Sequence, residues 1–269
     1  MGKVNKGTPL DDISYLSRSA HRIPALVAMS DRPMTRSELC DLTGVSPSTL
    51  RRTFREFEDR NWIERQENRY RTTQLGTFVA STMAELVTRM RTESTLREVW
   101  DYLPNDDNHF TLEMCLDAVV TISDAENPYR PVNRLRELIQ DTTQFRFLGL
   151  DIAMLEPIKM ELCQRIIDGM EAEIINPPRV ANYIRSTSSE LFTETLASGN
   201  LTIRLHDNLP RYGVSIVDDR IAISCYDPDG VTVRVLLDTD APAAREWADT
   251  VYLKYRRETP TIPLETPDP

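Results

Sequence analysis

The stretch Thr35–Phe57 constrains the chain more than any other. Thr35 is a good N-cap residue, and Glu38 three positions on completes a capping box. The helix begun there is expected to stop at Gly44, because glycine tolerates the left-handed backbone that closes a helix. Ser46 then caps a second helix whose first position is Pro47, where a missing N–H costs nothing. Leu50, Phe54 and Phe57 recur at i, i+4 and i+7 and give that helix one apolar face. Two helices joined by so short a turn must pack closely at a steep angle. Cys40, four residues before Gly44, is small enough to allow this. The pattern predicts a helix-turn-helix.

On a helical wheel Ser48, Arg52 and Arg55 point away from the apolar face, with Arg51 on the flank. Glu56, Glu58 and Asp59 occupy the later turns. A helix dipole favours acids first and bases last, so this order runs against the dipole and suggests that the arginines serve an external anion. Trp62–Arg65 and Arg69–Thr72 read as two short strands around a polar turn containing Asn68, which adds a wing. In such modules the second helix enters the DNA major groove. Arginine suits guanine, and hydroxyls and arginines also hold phosphates. The expected DNA contacts are Thr35, Arg36, Ser46, Ser48, Thr49, Arg51, Arg52 and Arg55, with Arg65, Arg69 and Arg71 on the wing. The competing reading is an amphipathic helix with a merely solvated arginine face.

The net charge of -10 does not oppose this. Basic residues outnumber acidic ones by 15 to 11 in residues 1–92, whereas residues 93–269 hold 17 against 31. Such asymmetry suggests a nucleic-acid-facing part and an acidic remainder. Of the 32 basic residues only Lys3, Lys6, Lys159 and Lys254 are lysine. An acidic, lysine-poor chain fits a halophile, where salt screens self-repulsion.

The remaining chain predicts helices over 10–17, His21–Met29, Thr77–Arg91 and Leu96–Tyr102, with a turn at Asp31–Met34. After the polar break Pro104–Asn108, strands and helices alternate. Strands are expected at Ala118–Ser123, Phe145–Leu150 and Ala172–Asn176, and helices at Pro131–Gln140, Leu155–Gly169, Arg179–Ile184 and Ser189–Leu196. Four strands follow, "LTIRLH", "YGVSIV", "RIAISCY" and "VTVRVLL", with turns at Asp218–Asp219 and Asp227–Gly230, then a helix over Ala241–Tyr255. The fold class is a two-domain α+β and α/β chain. Residues 1–75 form a winged helix-turn-helix, 76–107 connector or dimerisation helices, 108–257 an α/β sensor or assembly domain, and 258–269 a proline-rich disordered tail.

The stretch "LTGVSPSTLRRTFREFEDRNWIERQENRYRTTQLG" resembles the winged helix of archaeal, especially haloarchaeal, transcriptional regulators. "PYRPVNRLRELI", "LASGNLTIRLHDNLPRYGVSIVDDRIAISCYDPDG" and "AREWADTVYLKYR" resemble the sensor module of methanogenesis-regulator-type archaeal regulators. The likeness covers most of residues 10–257. It implies a dimeric regulator with double-stranded DNA as partner and an α/β domain that binds a small-molecule effector or mediates assembly.

That sensor type is similar to phospholipase-D-like folds, whose chemistry needs a His-x-Lys pair with a histidine nucleophile. His206 is followed by Asp207 and Asn208, and there is no GxGxxG, P-loop, GxSxG or HExxH. We therefore expect no enzyme, no cofactor and no metal site; Cys40, Cys115, Cys163 and Cys225 lack zinc spacing. Effector candidates beyond the strand ends are Tyr129, Asp151, Asn176, Arg179 and His206, although Asp151 and Asn176 also suit helix caps. No apolar run approaches the ~18–20 residues of a membrane span, and the start lacks a signal-peptide pattern, so a cytoplasmic protein is expected. The alternatives to a sequence-specific regulator are a winged-helix protein-interaction module and a divergent phosphodiester hydrolase.

Overall fold

Local chemistry starts the helices of the first half. Thr8 caps α1 (Pro9–Ser17) in a capping box with Asp11. After α2 (Arg22–Asp31) the chain enters a short strand, β1 (Met34–Thr35), and then α3 (Arg36–Thr43). Thr35 and Glu38 form the reciprocal capping box, and α3 closes on Gly44 in the left-handed region, φ 69°. Ser46 accepts from the Thr49 N–H and opens α4 (Pro47–Asp59). The hairpin is β2 (Ile63–Gln66) and β3 (Arg69–Thr72). Its turn contains Asn68, and the left-handed residue beside it is Glu67, φ 53°. β3 also pairs with β1, Met34 opposite Tyr70 and Thr35 opposite Arg69, which gives a sheet of order β1-β3-β2. Sequence periodicity assigns Met34 to a turn because a two-residue strand is too short to show alternation.

The computed structural model describes residues 8–104, 109–150, 154–187, 189–227 and 232–259. The chain divides into two compact units between Arg91 and Thr92. The core of the first unit gathers Leu26, Leu39, Leu50, Phe54, Phe57 and Trp62. Phe54 packs on Tyr70 with ring centroids 4.2 Å apart, which seats the wing against α4.

α5 (Gln74–Arg97) begins where Thr73 Oγ1 accepts from the Gly76 N–H at 3.1 Å. Gly76 lies so close to the wing that a Cβ there would stand 1.8 Å from the Trp62 carbonyl oxygen. The helix is longer than its apolar pattern suggests, running past Arg91 into the segment expected to start a separate helix at Leu96. No glycine or proline interrupts it beyond Gly76 in the first turn. Glu85–Arg89 and Glu93–Arg97 pair at i, i+4 along it, and Leu96 is buried. A 3-10 turn, Trp100–Tyr102, replaces the rest of that expected helix.

The second unit is a seven-stranded mixed sheet. In chain order it contains β4 (Val119–Ile122), α6 (Arg130–Ile139), β5 (Gln144–Leu148), α7 (Lys159–Ile167), β6 (Glu171–Asn176), α8 (Pro178–Thr187), α9 (Ser189–Ala197), β7 (Leu201–Leu205), β8 (Tyr212–Val217), β9 (Arg220–Tyr226), β10 (Val233–Thr239) and α10 (Pro242–Glu258). The helix expected from Leu155 starts as a 3-10 turn, Glu156–Ile158, with Pro157 in its first turn. α10 continues to Glu258, three residues beyond Tyr255. The strand order is β4-β10-β9-β8-β5-β6-β7, with β5, β6 and β7 parallel and the β8–β10 meander antiparallel. Both faces are covered, so β8, β9 and β10 read as nearly unbroken apolar runs. Val214, Ile216, Ile223 and Cys225 face α10 through Trp247 and Tyr252. Phe145, Phe147, Ala222 and Leu236 face α6 and α7 through Leu135, Ile139 and Leu162.

Asp238, a fully buried carboxylate on β10, accepts from Arg134 Nε at 2.9 Å and Nη2 at 3.0 Å and so ties α6 to the sheet. Arg220 Nε lies 3.4 Å away on its other side. The expected turn residues from 228 to 230, and the tail from 260 onward, lie outside the described residues.

Gly76→Ala should lower the stability of the first unit by about 1–3 kcal/mol, because the added methyl group meets backbone rather than a movable side chain. Chemical unfolding monitored through Trp62 reads this directly. An unchanged midpoint would show that the wing and α5 have room at this junction.

Candidate nucleic-acid interface

Burial of Leu50, Thr53, Phe54 and Phe57 fixes the rotation of α4. With those four inward, Ser48, Arg52 and Arg55 at i, i+4 and i+7 are exposed on the opposite face, and Arg51 is exposed on the flank. The row from Ser48 to Arg55 is roughly 10 Å long at 1.5 Å per residue. No hydrogen bond or ion pair holds Arg51, Arg52 or Arg55 among the described residues. At the start of the helix the Ser46 hydroxyl lies 2.9 Å from Ser48 Oγ and 3.0 Å from Thr49 Oγ1. Hydroxyls at a helix N-terminus, followed by unpaired guanidiniums, make a surface suited to phosphate and base edges.

The wing arginines are differently placed. Arg65 Nε donates to the Glu67 carbonyl at 2.7 Å, and Arg71 Nε donates to Glu64 at 2.6 Å. Arg69 Nη1 donates to the Pro33 carbonyl at 3.0 Å and lies 3.6 Å from Glu38. Sequence reasoning treats all three as open charges, but each is already engaged within the protein. Their side chains stay on the surface, where such pairs are weak and exchangeable.

Thr35 and Arg36 also turn toward the protein. The Thr35 hydroxyl donates to Glu38 at 2.8 Å, and Arg36 Nη2 donates to the Tyr70 hydroxyl at 3.3 Å. Glu38 thus joins the cap of α3, Arg32 at 2.9 Å and Arg69 of the wing. The Thr35 backbone N–H, the Arg32 guanidinium and the Thr35 hydroxyl hold its carboxyl down at about 2.

Two supports of α4 have no signal in sequence spacing. His21 Nε2 lies 2.9 Å from Thr53 Oγ1, which itself donates to the Thr49 carbonyl, so the ring is the donor in this pair. Partial burial, helped by Arg22 and Arg52, holds the His21 imidazole below its ordinary value and favours the neutral ring. Arg60, at the end of α4, bonds Asp12 of α1 and Glu56 at 2.9 Å each and lies over the Tyr15 ring.

The expected effector residues do not converge. Asn176 and Arg179 both reach the exit of β5, donating to the Gly149 carbonyl at 2.8 Å and the Leu150 carbonyl at 2.9 Å. Asn176 is therefore a buried strap rather than a helix cap. His206 accepts the Asn208 N–H on Nδ1, which leaves Nε2–H to donate to Glu258 of α10 at 3.1 Å. Tyr129 is exposed before α6, and Asp151 lies outside the described residues. Among the described residues no group of three His, Cys, Asp or Glu could hold a metal, and no helix is long and apolar enough to cross a membrane. Burial pushes the Cys115 and Cys225 thiols up to about 12.

A helix-turn-helix with its wing, joined to a mixed α/β domain, is the class that these two units define. Residues 10–95 match the family described as the HVO_A0261 N-terminal domain, and residues 128–258 match methanogenesis regulatory protein FilR1, middle domain. The chain is an archaeal-type regulator with a winged helix-turn-helix and a methanogenesis-regulator-type C-terminal domain. No curated protein matches it. Among solved structures, the archaeal chromatin protein TrmBL2 aligns over 90% of this chain and 92% of its own, at 13% identity and a TM-score of 0.43. A phosphatidylserine synthase of Haemophilus influenzae aligns over 54% of this chain and 39% of its own, at 14% identity and a TM-score of 0.41.

The depressed Glu38 carboxyl has a consequence with a definite sign. A folded value below the ordinary 4.5 contributes stability that is complete above 4.5 and is lost as pH falls toward about 2. Glu38→Gln should flatten this part of the acid limb when unfolding midpoints are measured against pH. Parallel limbs for the variant and the native chain would remove Glu38 from that role.

Proposed function

We propose that the protein is a sequence-specific DNA-binding transcriptional regulator that acts as a homodimer in the cytoplasm. Residues 1–75 read double-stranded DNA, 76–107 connect and dimerise, and 108–257 sense a small-molecule effector or mediate assembly. The observation that carries this reading is the contrast among arginines. Arg51, Arg52 and Arg55 stand exposed without an ion-pair partner on one helix face, while Arg60, Arg65, Arg69 and Arg71 are engaged. An arginine face with a purely structural role would show pairing of the second kind. Ser46, Ser48 and Thr49 add donors at the same helix end, and Thr35 and Arg36 act by holding α3 and the wing in place.

We read the C-terminal sheet as a phospholipase-D-like pattern without its catalytic pair. His206 has no lysine two residues on, and its ring is tied to Glu258. Asn176 and Arg179, which brace the exit of β5, are the effector candidates best placed to feel a ligand bound beyond the strand ends.

Arg52→Ala should weaken operator binding by about 1–3 kcal/mol if Arg52 makes a bidentate base contact. The measurement is a titration of labelled operator at fixed salt, with the operator taken from chromatin immunoprecipitation and sequencing. A folded variant that binds as well as the native chain removes Arg52 from the readout. An immunoprecipitate with no enriched motif favours a winged-helix interaction module instead.

A further inference from the structure

The buried hydroxyls of the chain divide by residue type. Among the described residues five threonines and three serines are buried. Thr53, Thr142, Thr195, Thr239 and Thr259 each hydrogen-bond within the protein. Ser123, Ser215 and Ser224 have no protein group within hydrogen-bond reach of their Oγ among the described residues. Ser215 and Ser224 are fully buried. A buried hydroxyl without a partner costs free energy, so native cores rarely keep one, let alone a neighbouring pair.

These two serines stand on the same face of the sheet. Side chains alternate along a strand, and Val214, Ile216, Ile223 and Cys225 point to α10. Gly213, Ser215, Ser224 and Tyr226 therefore face α6 and α7, beside Val217 and Ala222. Ser224 lies opposite Gly213 on β8, and Phe147 of β5 lies opposite Ser215. Leu148 pairs with Val214 and with Ile175, so one residue further along Gly149 stands between Gly213 and Asn176. A row of Ser224, Gly213, Gly149 and Asn176 thus crosses four adjacent strands at the carboxyl ends of β5 and β6. It spans roughly 14 Å at ~4.8 Å per strand.

Two glycines side by side stand out where the sheet otherwise carries apolar side chains. Neither is in the left-handed region, so they provide space rather than backbone freedom. Glycine in a strand often marks a place where a ligand comes close. A Cβ at Gly213 would have the Tyr226 hydroxyl at 3.0 Å and Ser224 Cβ at 3.3 Å as its nearest neighbours. A third hydroxyl therefore joins the two serines over this glycine. Asn176 closes the far end by donating to the Gly149 carbonyl at 2.8 Å. No ionised side chain belongs to the row. Glu156, after β5, is 2.6 Å from Lys159, and Arg179, after β6, donates to the Leu150 carbonyl. A charged ligand would be buried here without a counter-ion, which is strongly unfavourable.

We propose that this row binds a small uncharged molecule bearing hydroxyl groups, held by Ser215, Ser224 and Tyr226 over Gly213. A serine hydroxyl both donates and accepts, so it suits a group that does the same. Because the serines are fully buried, the ligand is enclosed and compact. Open α/β sheets take ligands at this end of their strands. Such a ligand would be the effector of the proposed function, and its regulatory role rests on that reading; binding itself requires no DNA.

The experiment is calorimetric titration of the full chain, without DNA, with glycerol, erythritol and glucose, and with inorganic phosphate as the charged contrast. At least one of the three neutral probes should bind saturably at millimolar concentration, below the range where polyols stabilise proteins by exclusion. Ser215→Ala with Ser224→Ala should weaken that binding by more than about tenfold. The same variant should keep or raise the ligand-free unfolding midpoint, because it removes two unpartnered hydroxyls. A lower midpoint would show that the hydroxyls are bonded within the protein and overturns the site. So does binding of none of the three probes, or binding that the variant leaves intact. Saturable phosphate binding that the variant loses overturns the neutral ligand. A probe that binds but leaves operator affinity unchanged upholds the site and removes its effector role. Loss of operator binding in Arg52→Ala leaves the titration untouched and tests the DNA reading alone.

Discussion

The packing of Leu50, Phe54 and Phe57 into the first unit decides what the rest of that unit can present. A helix has one rotation, and an apolar face of this strength sets it. Once these three side chains are inward, the arginines have only the outer face to occupy. Phe54 carries the wing through Tyr70, and Phe57 meets Trp62 with centroids 5.8 Å apart. Trp62 in turn receives the first turn of α5 over Gly76. One buried row thus positions the exposed arginine face of α4, the wing and the start of the long helix.

Electrostatics then sorts guanidiniums of one chemical type into two roles. Arg60 ends α4 between Asp12 and Glu56, and Arg134 reaches the buried Asp238. These are charge-assisted bonds that hold elements together. Arg51, Arg52 and Arg55 lack such partners, although Glu56, Glu58 and Asp59 are close in sequence. Glu56 is drawn to Arg60 instead, so the nearest acid on the helix is turned from the arginine row.

How much of this can be read without coordinates follows the range of the interactions. Caps at Thr35 and Ser46, the Gly44 stop, the apolar row of α4 and most strands of the second unit are legible because they depend on residues within one or two turns. β1 is hidden because a two-residue strand exists only through its pairing with β3. The length of α5 is hidden because Thr92–Thr95 argue for an end while Leu96 is fixed by contacts far away in sequence. Of the residues expected to meet DNA, the outward set on α4 follows from a wheel. The inward turn of Arg36, the engaged wing arginines and the His21–Thr53 bond do not, since each rests on a partner in space. The scattered effector candidates fail to converge for the same reason. Strand ends can be counted along a sequence, but Asn176 bonding Gly149 and His206 bonding Glu258 cannot.

The outer face of α4 contains arginine and no lysine, and this limits how the protein can be controlled. Acetylation neutralises ammonium groups, and methylation of arginine leaves the charge in place. The charge on this face is therefore out of reach of the commonest enzymatic way of erasing it. Release of this face from an anionic partner therefore depends on geometry and salt rather than on removal of its charge.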